Sequence, residues 1–218
     1  MTAQNINGER KDLYKLATVL SIITVLYNIV EGLVSVYLGL QDETLSLFGF
    51  GVDSFVEVIS GIGIWHMLTR IKTSGEERDE FEKRALRITG TSFYILTAGL
   101  VFSALYNILI DHKPETTFWG IVISLISIAT MGLLIHYKLK TGKALGSQAI
   151  IADANCTKTC LYLSIVLLAA STGYELTGLG GFDSAGALLI AYFSFNEGRE
   201  AFEKARTGKH CSCETDTH

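Results

Sequence analysis

The stretch GFGVDSFVEVISG, residues 49–61, decides how this chain folds. It is apolar except for Ser54, Ser60 and two carboxylates, Asp53 and Glu57, and it sits inside a longer apolar run, 44–69. A run of that length crosses the roughly 30 Å hydrocarbon layer at about 1.5 Å per residue, so it reads as a membrane-spanning helix. On such a helix Gly49, Asp53, Glu57 and Gly61 fall at successive i, i+4 steps and share one ridge. Small residues above and below the acids let a neighbouring helix approach closely. Carboxylates at mid-membrane are costly and mark ion or proton paths. Two of them one turn apart repel unless a cation or a proton joins them, which favours a functional pair over a purely structural one.

A second polar ridge lies in IADANCTKTCLYLS, residues 151–164. Asp153, Cys156 and Cys160 are spaced i, i+3, i+7, and Ser164 continues the same face. A cysteine pair alone in such a helix is ordinary apolar packing. With Asp153 beside it and a carboxylate pair on another helix, the thiols read as ligands. Two carboxylates facing two thiols make a tetrahedral site for a soft or borderline divalent metal. The candidate metal ligands are therefore Asp53, Glu57, Cys156 and Cys160. Asp153, and Glu31 with Asn28 in YNIVEGL, are accessory or proton-relay candidates, with hydrogen bonding inside the bundle as the competing reading. Lys158 is two residues from each thiol and points away from their face. Asp183 opens the last apolar segment, where a negative charge suits a helix N-terminus. The tail KHCSCETDTH, residues 209–218, offers His210, Cys211 and Cys213 as a weak cytosolic metal-capture element, set against a plain polar tail.

Outward from these ridges, the 218 residues are 49% hydrophobic and only 18% charged. The apolar residues gather into six runs, roughly 14–40, 44–69, 88–110, 117–137, 147–171 and 183–203. The expected fold is an all-α membrane protein of six transmembrane helices. It divides into an N-terminal cytosolic segment, 1–13, a membrane domain, 14–204, and a cytosolic tail, 205–218. Every Lys and Arg except Lys113 and Lys158 falls in or within a few residues of the N-terminal segment, the second-to-third connection, the fourth-to-fifth connection or the tail. The positive-inside rule then places both termini in the cytosol, which an even number of spans requires. Segment 74–87, SGEERDEFEKRALR, reads as a solvated connector or as an extension of the third helix beyond the membrane. The lone proline, Pro114, marks the short turn between the third and fourth spans. No basic block suggests nucleic acid as a partner, and the paired cysteines do not look like a secreted disulfide framework.

With these residues in place, the chain resembles the cation diffusion facilitator family. That family carries a D-x-x-x-D pair on its second transmembrane helix and an H/D-x-x-x-D pair on its fifth. Asp53-Ser54-Phe55-Val56-Glu57 is similar to the first, with Glu at the second position. Ala152-Asp153-Ala154-Asn155-Cys156-Thr157-Lys158-Thr159-Cys160 is similar to the family's A-D-A-x-H-x-x-x-D stretch, with Cys156 and Cys160 standing where His and Asp would be. Asn28-Ile29-Val30-Glu31 resembles a recurrent first-helix pattern, and Asp183 and Glu197-Gly198-Arg199 resemble the ends of the sixth helix. The resemblance covers about 14–204 and implies six helices, cytosolic termini and metal transport. The chain stops about fifteen residues after the sixth helix, so the family's cytosolic ferredoxin-like domain is expected to be absent. The likeness is greatest to a short bacterial subgroup of cobalt, zinc and cadmium transporters.

The sequence thus predicts a secondary transporter in the cytoplasmic membrane. It would export a divalent heavy-metal cation, zinc foremost and otherwise cadmium or cobalt, by proton antiport with alternating access. The metal is cargo and no cofactor is expected. The partners are the cation, protons, the lipid bilayer and a second copy through the membrane domain. The alternatives are a membrane thiol oxidoreductase using Cys156 and Cys160, and a non-transporting metal-binding membrane protein.

Overall fold

A computed structural model of the protein describes residues 3–74 and 80–207. Its elements are six α-helices: α1 Ala3–Gln41, α2 Leu45–Ser74, α3 Glu80–Leu109, α4 Phe118–Leu145, α5 Gln148–Thr177 and α6 Gly181–Thr207. Each matches one of the expected runs, falling at most one residue short at one end, and overshoots it at one or both ends. The overshoot is physical. The flank 80–87, EFEKRALR, is rich in good helix formers, and the backbone of a started helix continues until something stops it. Part of the charged segment 74–87 accordingly belongs to α3, which begins at Glu80, while 75–79 lie outside the described residues. The stops are recognisable. Gly146 and Gly178 follow α4 and α5 in the left-handed conformation, φ 61° and 68°, where the absence of a Cβ removes the steric penalty.

Five of the helices, α1 to α5, contain segments long and apolar enough to cross a membrane. The sixth, α6, is more polar along its length, carrying Asp183, Asn196, Glu197, Arg199, Glu200, Glu203, Lys204 and Arg206, yet it packs with the others over a comparable span. In pairs, α1 packs on α2, α4 on α5 and α3 on α6, and α2 also meets α3, α5 and α6. Glycines permit the closest approaches. A Cβ added at Gly90 of α3 would lie 3.1 Å from the Gly198 carbonyl oxygen of α6, and one at Gly198 would lie 3.2 Å from that of Gly90. A Cβ at Gly51 of α2 would come within 2.7 Å of the Val36 backbone nitrogen of α1. Small residues at helix contacts are what tight packing in lipid requires.

The apolar core draws Leu47, Phe50, Leu100, Leu163, Leu167 and Ile190 from four helices. Outside it, Leu26, Leu33, Ile95, Phe102, Leu133 and Tyr192 are all more than half exposed. In water such a surface would be an aggregation hazard, and in a bilayer it is the lipid-facing coat. The interior holds the polar residues instead. Asn28, Glu31, Asp53 and Asp153 are each 6% exposed or less.

Two acids tie the loop-side helix ends together. Asp183 stands in the first turn of α6, where its charge suits that helix's N-terminus as the sequence suggested, and it serves a second helix as well. Its carboxylate accepts from the backbone N–H groups of Leu45 and Ser46 at 2.9 and 3.0 Å, and from the Ser46 hydroxyl, so α6 caps the N-terminus of α2. The tertiary fold brings α2's first turn, with its unpaired donors, against this carboxylate. Glu175 at the end of α5 does the same for α4, accepting from the Thr117 N–H at 2.6 Å.

Candidate metal centre

The α2 ridge places both acids in the bundle interior. Asp53 is 2% exposed, and its Oδ1 accepts a hydrogen bond from the Ser194 hydroxyl of α6 at 2.8 Å. One turn on, Glu57 Oε2 accepts from two helices at once. The Asn28 amide of α1 donates at 3.1 Å and the Cys160 thiol of α5 lies at 2.6 Å. The expected meeting of the α2 carboxylates with the α5 thiols therefore occurs between Glu57 and Cys160.

Cys156, on the same α5 face, is set elsewhere. Its sulfur is 3.5 Å from the Lys204 ammonium of α6. The reason lies in the helix axis. Residues four apart on one face are about 6 Å apart along it. Successive helices alternate in direction, so α2 and α5 run antiparallel. Glu57 and Cys160 then stand at one level, Asp53 one turn to one side and Cys156 one turn to the other. Among the described residues no group of three or more His, Cys, Asp and Glu side chains is drawn together tightly enough to hold an ion. Cys156 and Cys160 are not joined in a disulfide.

A cavity of about 50 Å³ joins the Glu57–Cys160 level to that of Cys156, and Asp53 is not in its wall. Its wall includes Asn28, Glu57, Asp153, Cys156, Cys160 and Lys204. Glu197 of α6 is also in the wall, and its carboxylate accepts from the Thr159 hydroxyl of α5 at 2.8 Å. Lys158 is not among the lining residues, in keeping with its place on the opposite face. Two acceptors near this wall, Asn28 Oδ1 and Glu31 Oε1, are buried with no hydrogen-bond partner among the described residues. The other Glu31 oxygen accepts from the Ser54 hydroxyl at 3.1 Å. Carboxylates and thiols facing this cavity can exchange protons for a cation, since each binds one or the other, and the amide oxygen can add a neutral ligand.

Asp153 has a partner that the sequence did not suggest. Lys138 was grouped with the connection after the fourth span, but α4 continues through it to Leu145. Lys138 is 1% exposed, and its ammonium lies 3.0 Å from Asp153 Oδ2 and 3.0 Å from the Thr157 hydroxyl. The Ser21 hydroxyl of α1 donates to the same Asp153 oxygen at 3.2 Å. Lys204, grouped with the tail, is likewise inside a helix and buried. Polar neighbours in sequence make both lysines read as loop charges. The signal that was legible lies in α6, where Ser194, Glu197, Ala201 and Lys204 recur at helical spacing and so share a face. The proposed capture residues His210, Cys211 and Cys213 lie outside the described residues.

Comparison with known proteins gives this arrangement a setting. Residues 17–207 match the cation efflux transmembrane domain. An uncharacterized transporter of Methanocaldococcus jannaschii is 26% identical over 183 residues, which cover 80% of this chain and 65% of that protein. Transmembrane protein 163 of Xenopus laevis is 25% identical over 146 residues, covering 66% of this chain and 51% of its own length. The chain thus spans between half and two thirds of the relatives it matches.

Proposed function

The chain belongs to the cation efflux family, and from that premise we propose that it is a multi-pass cation transporter that exports a divalent heavy-metal ion from the cytosol in exchange for protons. Zinc is the foremost cargo, with cadmium and cobalt next. The membrane is the cytoplasmic one, and both termini face the cytosol. The observation that carries this reading is the 2.6 Å approach of the Cys160 thiol to Glu57 Oε2, with Asp53 one turn away. A thiol and a carboxylate in contact share a proton that a dication displaces. The thiol directs the site toward soft and borderline ions and away from Mg²⁺ and Mn²⁺.

On this reading Asp53, Glu57, Cys156 and Cys160 converge on the metal once it is bound. Cys156 leaves Lys204, and Asp53 leaves Ser194. Opening toward the cytosol loads metal and releases protons, and opening to the more acidic outside reverses the exchange. Access alternates around a site near the bilayer midplane, as rocking of one helix group against another allows. The α3–α6 pair, held together by Gly90 and Gly198, is the group that moves against α1, α2, α4 and α5. The protein is a carrier and not an enzyme, its two α5 thiols acting as ligands and not as a redox pair.

The test is flux in proteoliposomes loaded with a metal-sensitive dye, with Zn²⁺, Cd²⁺, Co²⁺, Mn²⁺ and Mg²⁺ each offered under an imposed pH gradient. Zn²⁺ and Cd²⁺ movement that follows the gradient is expected. Correctly folded protein that moves none of these ions would end the proposal, and flux indifferent to the gradient would remove the antiport.

A further inference from the structure

Lys204 places a positive charge inside the cavity that a cation has to enter. Its side chain is only 9% exposed. The ammonium lies 2.8 Å from Glu200 Oε1 on its own helix and 3.5 Å from Cys156 Sγ on α5. Of the described residues that line the cavity it is the only basic one, and it shares the wall with Glu57, Cys156, Cys160 and Glu197.

We propose that Lys204 is a tethered cation that occupies Cys156 when no metal is bound and competes with the metal for it, so that it sets the metal concentration at which transport begins. The inference rests on the metal-carrier reading above and adds a residue that tunes its affinity. An ammonium has three donors and no lone pair, so it opposes a metal ion and cannot help to hold one. A dication that recruits Cys156 has to evict it. The eviction is feasible because the lysine stem is flexible and Glu200 already holds the ammonium from the far side. Until then the fixed charge repels any dication in the cavity, where partial burial leaves little water to screen it. The contact also crosses between helices, from α6 to α5, so that metal entry and release of α6 from Cys156 are one event.

The expected consequence is a threshold. Lys204→Met keeps the aliphatic stem and removes the charge, and should lower the half-saturating Zn²⁺ concentration for flux about three- to ten-fold, a shift of up to ~1.4 kcal/mol. Lys204→Gln should move it in the same direction. Lys204→Arg keeps the charge and should stay within about two-fold of the parent. Cd²⁺ binding to the detergent-purified full chain, measured by calorimetry, is the second readout and does not depend on transport. Tighter Cd²⁺ binding by both neutral variants than by the parent supports the inference even if no ion is carried, which would count against the transporter reading alone. Equal or weaker Cd²⁺ binding by neutral variants that elute like the parent overturns it, and so does a half-saturating concentration that is unchanged or raised.

Discussion

Cys160 of α5 and Glu57 of α2 are 103 residues apart in sequence and 2.6 Å apart in space. The contact joins two helices through one proton position, and Asn28 of α1 adds a third helix to the same carboxylate oxygen. Removing the charge while keeping the shape is the direct test. Glu57→Gln should still accept from Asn28 and should leave the fold intact. Its amide is a weak metal ligand and cannot exchange a proton for a cation. Metal affinity should fall by more than the roughly 10–100-fold that loss of a ligand's supporting partner brings. Calorimetry with Zn²⁺ and flux should fail together, and parent-like values in either would displace Glu57 from the site. Glu57→Asp should retain part of the activity, since charge survives and reach shortens.

Asp53 and Ser194 form a graded pair. Asp53→Ala should abolish flux in protein that still inserts and elutes normally, because a ligand is lost and a like-charge repulsion with Glu57 goes with it. Ser194→Ala removes only the hydroxyl that orients Asp53 at 2.8 Å. It should raise the half-saturating metal concentration about 10-fold. Initial flux against Zn²⁺ concentration separates the two, and equal behaviour of both variants would mean that Asp53 is structural.

The thiols should govern metal choice. Cys160→Ser should weaken Cd²⁺ transport more than Zn²⁺ transport, since a thiolate favours the softer ion and a hydroxyl is a poor ligand for both. Cys160→Asp should move preference toward Zn²⁺. The ratio of Cd²⁺ to Zn²⁺ initial rates is the measurement. A ratio left unchanged in Cys160→Ser would reduce Cys160 to a packing residue.

Lys138 and Asp153 should behave as a buried ion pair. Lys138→Met leaves the Asp153 carboxylate without its cation and should destabilise the fold by about 3–5 kcal/mol. The double variant with Asp153→Asn removes the orphaned charge as well, and should recover much of that loss. Thermal unfolding of the purified chain reads both. Additive losses in the double variant would show that the two side chains do not act as a pair.

Asp183 should matter to α2 more than to α6. Asp183→Ala frees two backbone N–H groups at the start of α2 and should cost about 1–2 kcal/mol. Hydrogen exchange localises the effect. Faster exchange at Leu45 and Ser46 is expected, and acceleration confined to the first turn of α6 would mean that Asp183 supports its own helix alone.

The sequence by itself determined the helices and the faces. Apolar runs of membrane length leave a chain no other way to satisfy its backbone in lipid, so each helix, though not its ends, can be read from the sequence. The i, i+4 spacing likewise put Asp53 with Glu57, and Cys156 with Cys160, on shared faces without any tertiary information. Only the tertiary structure decided which members meet. A shared face is a line about 6 Å long between residues four apart, and sliding one helix by a turn changes every cross-helix partner along it. For α5 that slide is fixed by close contacts such as those of Ala170 with Gly186 of α6 and Ser171 with Gly120 of α4, between residues apart in sequence. It set Cys160 against Glu57, left Cys156 to Lys204, and buried Lys138 beside Asp153. Local periodicity records direction around a helix axis and not height along a neighbour's, which is why the faces were legible and the pairings were not.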